Sequence, residues 1–92
     1  MITSFRNKAL QRLYEGGVGR GLPAEFLPKL RRVLFALDNA LVPEDVEQPG
    51  FGMHALAGNL KGYLSIVISR NWRVIFRIEN GNVFDVDFVD YH

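Results

Sequence analysis

The sequence predicts an α+β domain, with two N-terminal helices packed on one face of a mainly antiparallel sheet of about four strands. Three observations point there. Apolar residues recur at helical spacing between positions 9 and 37. The C-terminal third alternates apolar and polar residues and is rich in β-branched and aromatic side chains. The chain has 92 residues, 48% of them apolar, which suits one compact domain over 1–92 with a core of its own.

The elements follow in order. Ile2 to Phe5 reads as a short strand that joins the sheet. A helix is expected from about Asn7 to Glu15: Ala9, Leu10, Leu13 and Tyr14 share one stripe, Asn7 is suited to cap it, and Gly16-Gly17 end it. A second helix starts near Pro23, with Phe26, Leu30, Val33 and Leu37 on one face and Arg31 and Arg32 turned away. Pro28 conflicts with an interior helical position, because proline lacks the N–H and clashes with the preceding turn, so a kink or a short first turn is expected there. Asp38, Asn39 and Pro43 close the helix. Residues 44–62 read as loop with short extended pieces.

Tyr63–Ser69, Trp72–Ile78 and Val83–Val89 read as three strands. One face collects Leu64, Ile66 and Ile68, then Trp72, Val74, Phe76 and Ile78, then Phe84, Val86 and Phe88. That face packs on the helices. The other carries Ser65, Val67, Arg73, Ile75, Arg77, Asp85 and Asp87. Matching the faces calls for three-residue loops at Ser69-Arg70-Asn71 and Asn80-Gly81-Asn82. A two-residue Asn80-Gly81 turn sets Arg77 opposite Phe84 and breaks the apolar face, so the longer loop is expected.

Composition removes several classes of function. Without cysteine there are no disulfides, no zinc–thiolate site and no cysteine nucleophile. No apolar run is long enough to span a membrane and no signal core precedes the charged N-terminus, so a cytoplasmic protein is expected. The net charge is only +1, but it is unevenly spread. Residues 1–37 hold Arg6, Lys8, Arg12, Arg20, Lys29, Arg31 and Arg32 against Glu15 and Glu25, whereas residues 38–92 are net acidic. A basic half attracts a polyanion even in a near-neutral chain. The same pattern also fits a solvated helical surface.

Proton-transfer chemistry near neutral pH has two histidines to draw on, His54 and His92. The chain ends Asp90-Tyr91-His92, an acid, a phenol and an imidazole at a strand end. The register sets Arg73 opposite Val89, close to that tail, where a guanidinium can hold phosphate oxygens. Arg73 and Arg77 can equally pair across strands with Asp85 and Asp87. Trp72 belongs with the core. Tyr63 on the open face can stack on a base, Asn71 can read a base edge or simply favour its turn, and Lys61 can steer a phosphate. The scattered histidines and carboxylates show no metal-ligand spacing, and no Gly-Lys-Ser/Thr follows the glycines, so neither metal nor cofactor is expected.

Several segments in order resemble one family: Phe5-Arg6-Asn7-Lys8, Lys29-Leu30-Arg31-Arg32, Pro49-Gly50-Phe51 with Met53-His54, Gly58-Asn59-Leu60-Lys61-Gly62, Asn71-Trp72-Arg73-Val74-Ile75-Phe76-Arg77 and the ending Asp87-Phe88-Val89-Asp90-Tyr91-His92. Together they resemble the HigB-type (plasmid-maintenance killer) toxins of the RelE superfamily, over essentially the whole chain. The resemblance implies a compact RelE-like fold and a ribosome-dependent cut in messenger RNA, made without a metal through the 2′-hydroxyl. It makes His54 and His92 the acid–base candidates, Arg73 the phosphate stabiliser, and Asp90 and Tyr91 orienting groups. It implies RNA contact by Lys61, Asn71 and Tyr63, and ribosome contact by Arg6, Lys8, Arg12, Lys29, Arg31 and Arg32. It also implies a helix-turn-helix antitoxin of the HigA kind, with promoter DNA met only through that complex. One departure stands out. Family members often carry a lysine three residues after the first histidine, where this chain has Ala57, which implies a slow or attenuated toxin, or one acting mainly as an antitoxin-binding module.

Overall fold

The computed structural model describes residues 1–91. Helix α1 (Lys8–Tyr14) begins at Asn7, whose Oδ1 accepts the Leu10 N–H at 2.9 Å. That bond satisfies one of the donors a helix start leaves open. The chain then doubles back past Gly19, whose φ of +89° and close approach to Leu27 leave no room for a Cβ. A single 3-10 turn (Ala24–Phe26) leads into helix α2 (Leu27–Asn39). Pro28 falls in the first turn of α2, where its missing N–H has no partner to lose. The expected short first turn is therefore what the chain adopts.

Among the described residues the sheet has four strands in the order β1 (His54–Ala55), β2 (Leu64–Val67), β3 (Trp72–Glu79), β4 (Asn82–Asp90), all antiparallel neighbours. Its membership differs from the expectation in two respects, the first being that the fourth strand is the short His54–Ala55, from a stretch read as loop with short extended pieces. Ile2–Phe5 makes no continuous strand but touches β4 through two parallel bridges, Ile2 to Val83 and Phe5 to Val86. The pairing is interrupted because β4 bulges between those two points.

The β2–β3 register is the expected one, with Leu64 opposite Phe76 and Ile66 opposite Val74. The β3–β4 turn is not. Glu79 pairs with Asn82 and Ile78 with Val83, so the turn is the two-residue Asn80-Gly81 one and not the expected three-residue loop. Both residues have positive φ (51° and 77°), the signature of the turn whose twist suits a hairpin. Arg77 does stand opposite Phe84. The conflict is resolved by a bulge between Ile75 and Arg77, beyond which Ile75 faces Asp87 and Arg73 faces Val89. The bulge residue Asp85 has φ +55°, and its N–H donates to Ser4 Oγ at 2.8 Å. Val83 thereby enters the core with Val86 and Phe88, and Phe84 leaves it.

Leu10 and Leu13 of α1 and Leu30, Val33, Leu34 and Leu37 of α2 pack on Ile66, Val74, Phe76, Val83 and Val86 of the sheet. Trp72 is half-buried at the edge of this core and stacks on Phe88 at 4.6 Å. Asp38 ties the layers together: its Oδ1 accepts the Ile2 N–H at 3.0 Å and the Tyr14 hydroxyl at 2.8 Å. The Ile2 N–H, more than the Tyr14 hydroxyl, holds its carboxyl below the usual range against the opposing effect of burial. A depressed carboxylate contributes stability above its unfolded pKa of about 3.9, and that contribution is lost as pH falls through the lower folded value. Asp38→Asn is therefore expected to be less stable than the parent at pH 7, with the gap closing below about pH 4. Urea unfolding of both proteins between pH 7 and pH 2 checks this; a gap that stays constant with pH refutes it.

Candidate active site

The functional side chains gather on the sheet face away from the helices. Paired residues of antiparallel strands share a face, so His54, Ser65, Ile75 and Asp87 form one row across β1 to β4, and Val67, Arg73 and Val89 form the next. His54 is exposed on the short edge strand β1. Ile75 is buried although it belongs to this outer face and not to the helix-side core. It lies in a cleft of about 390 Å³ lined by Arg6, Leu60, Ile75, Asp87, Val89, Asp90 and Tyr91.

Arg73 organises one end of this face. Its Nη1 donates to the carbonyls of Ser69 (2.7 Å), Trp72 (3.1 Å) and Arg70 (3.2 Å), which close the β2–β3 loop. Its guanidinium carbon lies 5.4 Å from the centre of the Tyr91 ring, a cation–π arrangement. Tyr91 is also held by its backbone, since its N–H donates to the Asn71 carbonyl. Asn71, Arg73 and Tyr91 thus meet at one corner. Asp90 ends β4 opposite Trp72 and lines the cleft. His92 lies outside the described residues.

Arg6 reaches the cleft from the other side. Phe5 turns inward against Tyr14 (ring centres 5.3 Å apart), so the next residue faces outward. Arg6 Nη1 donates to Tyr63 Oη at 3.2 Å, and this contact, with nearby Asp87 and Asp85, holds the guanidinium more firmly protonated than usual. Lys61 is exposed just after the 3-10 turn Gly58–Leu60. Ala57, exposed, opens that turn.

Other expected cations go elsewhere. Arg77 pairs with Glu79 at 3.0 Å and Asp85 at 3.3 Å, the cross-strand alternative. Lys29 Nζ donates to the Gly50 carbonyl at 2.8 Å, pinning α2 to the loop before β1, and burial lowers its pKa. Lys8, Arg12, Arg31 and Arg32 are exposed on the helices, on the opposite side of the sheet from the cleft. Of the basic residues assigned to ribosome contact, Arg6 is the one that lines the cleft. Sequence reading missed that role; the inward–outward alternation of Phe5 and Arg6 is the signal that carries it. Two larger clefts, about 550 and 530 Å³, flank Phe35 on the helix layer. Their acids are already engaged, Asp38 as above and Asp45 by the Leu41 and Val42 N–H groups, so size does not locate the chemistry.

A family model described as a RelE-like toxin of type II toxin-antitoxin system HigB matches residues 3–92. The chain belongs to this HigB-like toxin family. It is 36% identical over 92 residues to the Endoribonuclease HigB of Proteus vulgaris, covering all of both chains. It is 33% identical over 94 residues to Toxin HigB-1 of Vibrio cholerae, covering 100% of this chain and 98% of that one. The fold is shared more widely. A YoeB–YefM complex from Staphylococcus aureus contains a chain superposing with TM-score 0.64 at 20% identity, over 100% of this chain and 95% of the other. YafQ from E. coli gives TM-score 0.60 at 16% identity, over 98% and 91%. The HigB-like chain therefore has the compact RelE-like fold that its sequence predicts. Among its described residues, no helix is long and apolar enough to cross a membrane.

Proposed function

We propose that this HigB-like toxin is a ribosome-dependent endoribonuclease that cuts messenger RNA through the 2′-hydroxyl without a metal. The observation that carries the reading is the outer sheet face, where Tyr91 stacks on Arg73 beside a cleft and His54 stands on the same face. The Endoribonuclease HigB of Proteus vulgaris, aligned along its whole length, supports it.

In this reading one histidine of the pair His54 and His92 removes the 2′-hydroxyl proton. The 2′-oxygen attacks the adjacent phosphorus, and the bond to the 5′-oxygen breaks. The other histidine protonates that leaving oxygen. The products are a 2′,3′-cyclic phosphate and a 5′-hydroxyl, and no oxidant or cofactor is consumed. Arg73 stabilises charge on the phosphate. Asp90 and Tyr91 orient substrate or histidine, while Tyr63, Asn71 and Lys61 contact RNA. Lys8, Arg12, Lys29, Arg31 and Arg32 face ribosomal RNA, and the reaction takes place in the cytoplasm. Membership of a type II toxin–antitoxin family implies an antitoxin partner. We infer a HigA-like helix-turn-helix protein, with promoter DNA met through that complex.

A second reading rests on Ala57. The turn after β1 brings no cation from that position, so the chain acts mainly as an antitoxin-binding module. Controlled expression in a bacterium, with primer-extension mapping on a translated reporter, separates the two. In-frame cuts that require translation support the nuclease. Soluble protein that gives neither cuts nor growth arrest, yet binds the antitoxin, supports the module.

A further inference from the structure

We propose that Arg6 is a substrate-contacting cation of the cleft, binding the phosphate group at the cut site, in addition to any contact it makes with the ribosome. The proposal rests on the nuclease reading for the substrate's identity and on the geometry for the residue.

The fold delivers Arg6 deliberately far from its own chain neighbours. The N-terminal arm runs beside β4, its Arg6 N–H bonded to the Val86 carbonyl at 2.8 Å. The side chain reaches over the outer face to the hydroxyl of Tyr63, the residue that precedes β2. Arg6 thus lines, with Ile75 of β3, the cleft on the outer face while Tyr63 holds its guanidinium.

Two other arginines on this face are more fully committed than Arg6. Arg77 is ion-paired twice. One end of the Arg73 guanidinium serves loop carbonyls and its face lies on Tyr91. Among the described residues the Arg6 guanidinium forms no ion pair, and its side-chain hydrogen bond goes to a phenol oxygen. A phenol fixes the direction of a guanidinium without cancelling its charge. The remaining N–H groups keep the planar fork that matches two phosphate oxygens. Asp87 and Asp90 line the same cleft, so a phosphate that meets Arg6 there must stand off both carboxylates. The nearby turn contributes apolar Leu60 to the cleft wall and begins at Ala57, so it supplies no charge from either position.

Arg6→Gln, Arg6→Lys and Tyr63→Phe test this in single-turnover cleavage of messenger on programmed ribosomes, with rate at saturation and half-saturating concentration measured separately. Arg6→Gln is expected to lower the saturated rate about 10²-fold while half-saturation moves about threefold or less. Arg6→Lys restores part of the rate, and Tyr63→Phe loses only a few-fold, on the order of one orienting hydrogen bond. An unchanged saturated rate with weakened half-saturation makes Arg6 a ribosome contact only and overturns the proposal. A second measurement does not depend on cleavage. A 2′-O-methyl trinucleotide, which cannot be cut, is titrated while the Arg6 Nε–Hε signal is followed by NMR. A shift of that signal, with a salt slope about one unit smaller in Arg6→Gln, supports cleft binding even if the wild type cleaves nothing, in which case the nuclease reading alone fails. A signal that does not move on trinucleotide binding overturns the role of Arg6 whatever the cleavage assay gives.

Discussion

Replacing His54 by glutamine is expected to lower the saturated cleavage rate on programmed ribosomes by roughly 10²–10⁴-fold, the usual contribution of a positioned general acid or base. His92→Gln should lose a similar amount. The double variant should be little worse than either single one, because two groups that move protons in one step act as a unit. The geometry explains why His54 is eligible. Its pairing with Ser65 sets it on the face of Ile75 and Asp87. Adjacent strands lie about 4.8 Å apart, so the β1 and β3 backbones are separated by roughly 10 Å. In the proposed reaction a nucleotide laid across the open face would fill that span, with His54 on one side and the Arg73–Tyr91 corner on the other. His54 is exposed on a two-residue strand, so the substitution should leave the melting temperature almost unchanged. Loss of rate therefore reports chemistry and not folding. Roles are assigned by a substrate with sulfur in place of the 5′-oxygen. A thiolate leaves without a proton, so that substrate rescues the variant lacking the acid and not the one lacking the base. If His54→Gln keeps its rate within about threefold, histidine chemistry at this position is wrong.

The helices were legible because each carries one apolar stripe; Asn7 marked the start of α1, whereas α2 starts at Leu27, after a 3-10 turn, and not near Pro23. The β2–β3 register was legible because large apolar residues recur at every second position of both strands, Leu64 and Ile66 against Phe76 and Val74. The β3–β4 hairpin was not. Alternation in Val83–Val89 argued for the longer turn, and the positive-φ pair Asn80-Gly81 argued for the shorter one. What reconciles them is the bulge at Asp85, held by Ser4 from the far end of the chain, and a local pattern cannot reveal a partner some eighty residues away. The site divides in the same way. The opposition of Arg73 and Val89 followed from strand arithmetic, since the bulge restores beyond Ile75 the register that the short turn had shifted. The arrival of Arg6 in the cleft hung on a single inward–outward step from Phe5, too short a pattern to read in an arm that joins β4 through isolated bridges.

Phe76→Ala is expected to destabilise the domain by about 3–5 kcal/mol, whereas Phe84→Ala should cost about 1 kcal/mol or less. The two substitutions delete the same atoms from neighbouring strands, so the difference measures where the sheet places them. Phe76 is fully buried in the central strand β3, in the core that α2 covers. Removing its ring leaves a cavity that packed helices cannot fill. Phe84 stands opposite Arg77 on the outer face, half-exposed, because the two-residue turn shifts the register before the bulge. A three-residue turn would have set Phe84 on the core face beside Val86 and made the two losses alike. Small domains are stable by only about 5–15 kcal/mol. Phe76→Ala therefore removes a large share of the total and should lower the melting temperature by roughly 12–40 °C. Urea unfolding of both variants, compared at equal denaturant slope, provides the test. Equal losses at the two positions refute the Asn80-Gly81 turn and, with it, the placement of Val83 in the core.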